Sequence, residues 1–451
     1  MTARVNIIGG GLAGSQAALT LARLGYQVRL VEMRPVVQTP VHKTGDFGEL
    51  VCSNSLKSQD PHTAAGMMKA ELRELGSELY AFAEACAVPA GGALAVDRER
   101  FARMITQAIE GHPNITILRE ECTSLARAWE DADAVILASG PLTTESLAAD
   151  ISRLTGSSGL AFFDAAAPIV MADSLDMEKL FRQSRYEAGI GDYLNAPMER
   201  EGYNSFIDEL LSAERVILHD FESRDLFQAC QPIEEVARTG RDAPRFGALK
   251  PVGLVNPATG RRPWANVQLR AENLEGTCYN LVGFQTNLTF AEQGRVFRMI
   301  PRLEQAEFAC FGVMHRNTFL DAPRLLDANL RLKAECPVPT YVAGQLSGTE
   351  GYTEAIRSGL HAALMLAAHL RGIAVPALPR ESAFGALIAY ATDSATKDYQ
   401  PSHVNFGLMP PLDNPPKQKS LRHEAYAERG SKAFQEYCEQ LVRLGLVENQ
   451  P

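Results

Sequence analysis

No run of apolar residues in this 451-residue chain reaches the roughly 18 needed to cross a bilayer. The opening residues, MTARVNIIGGG, enter a strand pattern directly, with neither a charged leader nor a cleavage site. These two absences point to the cytoplasm and give no reason to expect a membrane partner. Cysteine is sparse and scattered: Cys52, Cys86, Cys122, Cys230, Cys278, Cys310, Cys336 and Cys438 form no CxxC pair. That spacing argues against structural zinc or a disulfide framework, so no metal site is expected. Internal repeats and low-complexity tracts are missing too. An excess of basic charge is also lacking, since 44 Lys+Arg against 54 Asp+Glu leave a net charge of -10. This speaks against a surface coated for nucleic acid but leaves room for a local basic patch.

What is present fits a folded, soluble protein, with 46% hydrophobic and 22% charged residues. The length exceeds one ordinary core, so two globular units are expected. Residues 5–8 are a short apolar run that breaks into Gly9, Gly10, Gly11, Leu12, Ala13 and Gly14. A helical pattern follows over 15–24, then a second strand over 27–31 that ends in Glu32. A bare GxGxxG is a weak signal, but strand before, helix after and an acid about 20 residues on make it a dinucleotide-binding βαβ unit. Gly9 permits the tight turn, Gly11 lets backbone amides approach a pyrophosphate at the helix N-terminus, and Gly14 lets helix and strand pack closely. Glu32 stands where a carboxylate accepts hydrogen bonds from ribose hydroxyls. The bland alternative is a glycine turn that packs a strand on a helix and binds nothing.

Later segments bear on FAD against NAD. Residues 133–141 read as a buried strand ending in a small-residue turn, of the kind that closes a first nucleotide-binding half. Residues 338–343 form a strand that runs into Gly344, Gln345, Gly348, Gly351 and Tyr352, before a helix over 354–370. A second glycine turn ahead of a helix offers another set of amide donors and another dipole. Such convergence resembles the glutathione-reductase-like flavoprotein architecture. The expected fold class is therefore α/β, a discontinuous Rossmann-type FAD-binding domain with an inserted α+β domain. The FAD-binding parts are placed at 1–190 and 331–451, the latter closing with a helix over 422–444, and the insertion at 191–330. Within the insertion, 279–284 alternates like a strand and 199–211 reads as a helix.

Two cysteines have chemistry-bearing neighbours. Cys52 follows the first βαβ unit, where such folds run beside a flavin, and Ser53, Asn54, Ser55 and Lys57 could stabilise its thiolate. A capping loop with an incidental cysteine is the alternative. Cys230 precedes Arg238, Arg241, Arg245 and Lys250, with only Asp242 opposing them between 238 and 250. A thiol beside cations suits nucleophilic attack near a phosphate-rich substrate, whereas a solvated charged face is the plainer reading.

The runs GGGLAG, VEMRP, TPVHKTGDFGELVCSNSLKS, PAGGALAVDRERF, ACQPIEEVARTGRDAPRFGALKPVGL, NLVGFQTNL, YVAGQLSGTEGYTEA and NFGLMPPL span the chain. Together they resemble the folate- and FAD-dependent tRNA (uracil-5-)-methyltransferases, the TrmFO family. The resemblance implies methylation of the 5-carbon of a T-loop uridine in tRNA. Carbon would come from methylenetetrahydrofolate and reducing equivalents from NADPH or NADH through FAD. It implies catalytic roles for Cys52 and Cys230; Cys230, in the basic segment, is expected to attack uracil and Cys52, near the flavin, to assist methylene transfer or reduction, with the exchanged assignment left open. Cofactor contacts are implied for Gly9, Gly10, Gly11, Leu12, Ala13, Gly14, Glu32, Met33, Arg34, Gly344, Gln345, Gly351 and Tyr352. RNA contacts are assigned to Arg238, Arg241, Arg245, Lys250, Arg261 and Arg262, joined by Lys417, Lys419 and Arg422. One departure stands out: the family usually shows two adjacent histidines, whereas Lys43 follows His42 here, which puts a folate-stacking role for that segment in doubt.

Three alternatives stay open on sequence alone. The same chemistry on a ribosomal RNA uridine is the nearest. A flavin oxidoreductase of small molecules would leave Cys230 and its basic neighbours unexplained, and a non-catalytic scaffold would leave two well-placed thiols without purpose. Oligomeric state is not legible in one sequence.

Overall fold

The computed structural model describes residues 2–39, 41–156, 160–185, 191–216, 231–396 and 399–448. A five-stranded parallel sheet forms the first unit. Its order is Thr340–Val342, Ala134–Leu137, β1 (Arg4–Ile8), β2 (Gln27–Val31) and Ile115–Leu118. Alternation along these strands sorts their side chains into two cores. Val5, Ile7, Val28, Leu30, Ala134, Ile136 and Tyr341 face one, while Ile8, Val31, Val135, Leu137 and Val342 face the other. Helices cover both faces, which is why these strands read as continuous apolar runs.

Helix α1 (Leu12–Arg23) crosses the helix Tyr352–Leu370 on the first face at backbone-contact range. Gly359 makes that crossing possible, because a Cβ there would lie 2.1 Å from the Ala13 carbonyl oxygen. The last helix, Lys419–Arg443, lies along Ala64–Glu74 and buries Phe434, Tyr437, Cys438 and Leu441. Among the described residues, no helix is long and apolar enough to cross a membrane.

An antiparallel ribbon, Leu160–Ala165 against Met314–Phe319, connects this unit to the second. The second unit is a six-stranded antiparallel sheet around its own core, where Phe206, Phe284 and Phe297 pack ring to ring. Its strands begin at Ile169–Met171 and Phe181–Arg182, ahead of residue 191, and end at Phe308–Cys310. Leu325, Leu326, Leu330 and Leu332 already belong to the core of the parallel sheet. The sheet of the insertion thus starts and ends earlier in the chain than the expected 191–330.

Candidate dinucleotide and thiol site

Four parallel strands end at one cleft, on the carboxyl side of the sheet where open α/β folds bind ligands. Gly9 follows β1, Glu32 follows β2, Ala138 follows Ala134–Leu137, and Gly344 stands just beyond Thr340–Val342; all four line the cleft. The first glycine turn is set by sterics. Gly9 has φ +103°, and a Cβ on it would lie 2.4 Å from the Ala138 carbonyl oxygen. A Cβ on Gly14 would lie 1.9 Å from the Gly9 carbonyl oxygen. At Gly11 a Cβ would meet no atom within 4 Å, because it would project into the open cleft. Gly11 also begins α1 without any side-chain cap, so the first-turn amides keep their donors for a ligand.

Glu32 is buried and held by its neighbours. Its Oε2 accepts the Gly10 amide at 2.7 Å, and its Oε1 accepts the Arg34 amide at 3.0 Å and Arg34 Nε at 2.9 Å. Burial alone would raise this carboxyl, but the Arg34 guanidinium and the two amides outweigh it and hold it below the usual carboxylate range. Arg34 in turn reaches Glu49 at 3.1 Å, and Glu49 accepts the Lys43 and Thr44 amides. This network positions the segment carrying His42, which lines the cleft beside Thr39. Met33 lines the same wall.

Across the cleft, Gly344 (φ +72°) and Gln345 precede the second helix N-terminus. Gly351 (φ +116°) begins Tyr352–Leu370, again without a side-chain cap. The Tyr352 hydroxyl accepts the amides of Cys52 at 2.9 Å and Ser53 at 3.2 Å. Burial, with Cys52 adding to it, pushes this phenol above its ordinary value, so it stays neutral. Cys52 is half-buried and lines the cleft, its Sγ 3.7 Å from the Ala165 carbonyl oxygen at the end of the connecting ribbon. The neighbours expected to serve its thiolate are partly engaged elsewhere. Asn54 is fully buried on the Val96 and Ala271 carbonyls and on Arg270, and Lys57 pairs with Glu354 at 3.4 Å.

Arg98 has a part that the sequence did not assign. It donates to the carbonyls of Leu50 at 3.1 Å and Cys52 at 3.3 Å, and pairs at 2.5 Å with Glu272, just past the strand Ala265–Ala271 of the second sheet. Together with Asn54–Arg270, it clasps the Cys52 loop to the insertion. Glu354 was also unassigned. Burial would raise its carboxyl, yet Lys57, the Thr353 hydroxyl and the Val404 amide hold it below the usual range.

Cys230 lies outside the described residues. The basic segment after it is largely neutralised in space. Arg241 pairs with Asp208 at 2.5 Å, Arg238 with Glu235 at 3.5 Å, and Arg245 with Asp242 at 3.2 Å while stacking over Trp264. The Lys250 carbonyl accepts from Arg185 at 2.7 Å. Arg261 and Arg262 are exposed and make no ion pair among the described residues.

The fold and cleft define a class: a Rossmann-type dinucleotide-binding protein of flavoprotein architecture, with a thiol in its cofactor cleft. The family model described as "Glucose inhibited division protein A" matches residues 4–374. Relatives named methylenetetrahydrofolate–tRNA-(uracil-5-)-methyltransferase TrmFO are near-colinear with the chain. That of Geobacter sulfurreducens is 52% identical, covering 94% of this chain and 96% of its own. That of Desulforudis audaxviator is 49% identical, covering 99% and 100%. The solved structure of Aquifex aeolicus GidA superposes with a TM-score of 0.69 at 16% identity, over 98% of this chain and 76% of that one, and so shares its fold. This chain belongs to the TrmFO family.

Proposed function

We propose that this chain methylates the 5-carbon of a T-loop uridine in tRNA, with methylenetetrahydrofolate as carbon donor and NADPH or NADH as reductant of bound FAD. The observation that carries this reading is the convergence, in one cleft, of two uncapped helix N-termini with the Cys52 thiol. The relatives' names supply the reaction and the RNA. The open face of Gly11 and the first-turn amides of α1 suit a pyrophosphate, and Glu32, ionised at the end of β2, suits a ribose.

FAD, when bound and reduced by NADPH or NADH, would supply the two electrons that take the transferred carbon from the methylene to the methyl oxidation level. The chain's own residues do the rest. A thiolate of Cys230 adds to the uracil 6-carbon, making the 5-carbon nucleophilic toward the one-carbon unit, and leaves after the 5-carbon proton is lost. Cys52, held by Tyr352 and Arg98, assists methylene transfer or reduction. The target base leaves its loop stack to reach the cleft. Gly9, Gly10, Leu12, Ala13, Gly14, Met33, Arg34, Gly344, Gln345 and Gly351 frame the cofactor. A cytoplasmic place of action goes with this chemistry.

The test is transfer of labelled carbon from methylenetetrahydrofolate to unmodified tRNA, with NADPH and FAD, for the native chain and Cys230→Ala. Label in 5-methyluridine that disappears in the variant is the expected result. Transfer to ribosomal RNA alone would change the target, no transfer to either would overturn the proposal, and an RNA adduct on Cys52 would exchange the two thiol roles.

A further inference from the structure

We propose that Phe246 is a platform on which an unpaired base of the RNA substrate stacks while Arg261 and Arg262, on the segment to which its turn is fastened, hold nearby phosphates. The inference rests on the RNA-directed reading above and gives it a surface. Phe246 is 82% exposed, more than any other exposed large hydrophobic side chain among the described residues. A phenylalanine left in water on a loose loop would mean little, but this one stands on a fixed base. It ends the short 3₁₀ turn Ala243–Phe246, which the Gly247 and Leu249 amides close by donating to the Pro244 carbonyl at 3.1 and 2.9 Å.

Two contacts fasten that turn to the start of the strand Ala265–Ala271. The Asn266 amide donates to the Leu249 carbonyl at 3.1 Å, and Arg245 donates to the Trp264 carbonyl at 2.9 Å with its guanidinium 3.6 Å from the Trp264 ring centre. The same strand is entered from a turn bridged between Asn256 and Arg261, so Arg261 and Arg262 arrive on the chain just before Trp264. An exposed ring and two exposed arginines that make no ion pair among the described residues are therefore carried on segments that meet at Trp264 and Asn266. The arginines nearer to it in sequence have their acids in Glu235, Asp208 and Asp242.

The occupant this arrangement fits is flat and polyanionic. Single-stranded nucleic acid meets both demands, because every base offers a π-face and each nucleotide a phosphate. A second copy of the chain fits worse. Phe246, Val252 and Val255 are the exposed apolar side chains here, whereas a stable protein interface draws on about 20–30 residues a side. The platform is also close along the chain to the thiol assigned to uracil. Cys230 precedes the helix Ile233–Thr239, which leads into the Phe246 turn.

The experiment measures binding of an unmodified tRNA transcript to the FAD-loaded full-length protein over a range of salt. The proteins compared are the native chain, Phe246→Ala, Phe246→Tyr and the double variant Arg261→Gln/Arg262→Gln. Melting temperature and flavin content serve as checks on folding. Phe246→Ala is expected to weaken binding by roughly tenfold or more without changing the salt slope, and Phe246→Tyr to restore it. The double arginine variant is expected to reduce the slope of log affinity against log salt by about 1.4. Native tRNA binding and methylation with no weakening in Phe246→Ala would overturn the platform and leave the proposed function standing. A native protein that neither binds nor methylates tRNA would overturn the proposed function and the platform with it. Self-association abolished by Phe246→Ala, with tRNA affinity unchanged, would overturn it in favour of a second copy of the chain.

Discussion

Glu234 lies one residue into the helix that follows the Cys230 segment, fully buried, where it accepts the Asn287 amide at 2.6 Å and the Thr286 hydroxyl at 3.1 Å. Burial raises its carboxyl to about 7, with nearby Glu235 adding to the rise, against the favourable amide and hydroxyl bonds. Its folded pKa therefore stands above its unfolded value, and between about 4.5 and 7 the folded protein binds more protons than the unfolded one. The sign follows: this group's contribution is fully present below about 4.5 and is lost as pH rises through 7. Glu234→Gln keeps a carbonyl acceptor for Asn287 and removes the titration. Its melting temperature relative to the native chain is expected to rise between pH 5 and 7, an interval worth at most a few kcal/mol in stability. Thermal unfolding of both proteins across that range checks it, and parallel curves would assign the pH dependence elsewhere.

At the scale of elements, the crossing of α1 with Tyr352–Leu370 joins the two glycine turns, because both helices begin at the cleft. Gly359→Ala places a methyl 2.1 Å from a backbone oxygen, which no rotamer can relieve. The expected outcome is loss of several °C in melting temperature and of most bound flavin, read from thermal unfolding and visible absorbance. Retained flavin at native stability would mean that the helices separate freely.

Much of this element level was legible in the residues. The strand over 27–31 and the glycine turn with its acid stand where their pattern placed them, since a buried parallel strand and a steric turn leave local marks. Helix α1 begins at Leu12, three residues before the expected 15, because the turn motif is itself helical from its fourth residue. The strands at 169–171 and 181–182 were not legible, as two or three residues carry no periodicity. Side-chain partners distant in sequence were also hidden. Asp208 neutralises Arg241 from the helix Arg200–Ser212, and Glu272 meets Arg98 from another unit, neither leaving a trace in the neighbouring letters.

At the scale of the molecule, the clasp of Arg98 with Glu272 and of Asn54 with Arg270 fixes the Cys52 loop against the sheet of the insertion. If the two thiols act on one base, this seam sets their alignment. Glu272→Gln is expected to slow methyl transfer on the order of 10²-fold, while reduction of bound flavin by NADPH stays within about threefold of native. Rapid-mixing measurement of flavin reduction beside single-turnover methylation separates the two. Equal losses in both would place the defect in the cofactor domain.

The ribbon that leads out to the insertion and back also sets a timetable. Ala134–Leu137 is made early, but its neighbour Thr340–Val342 and the covering helix Tyr352–Leu370 emerge only after the whole insertion has been synthesised. Until then one wall of the cleft does not exist, and the apolar face of α1 that meets this helix has nothing to cover it. Cofactor capture is thus a late event in the life of each chain, and a ribosome that stalls within the insertion releases a sheet short of its fifth strand, with no flavin to hold it.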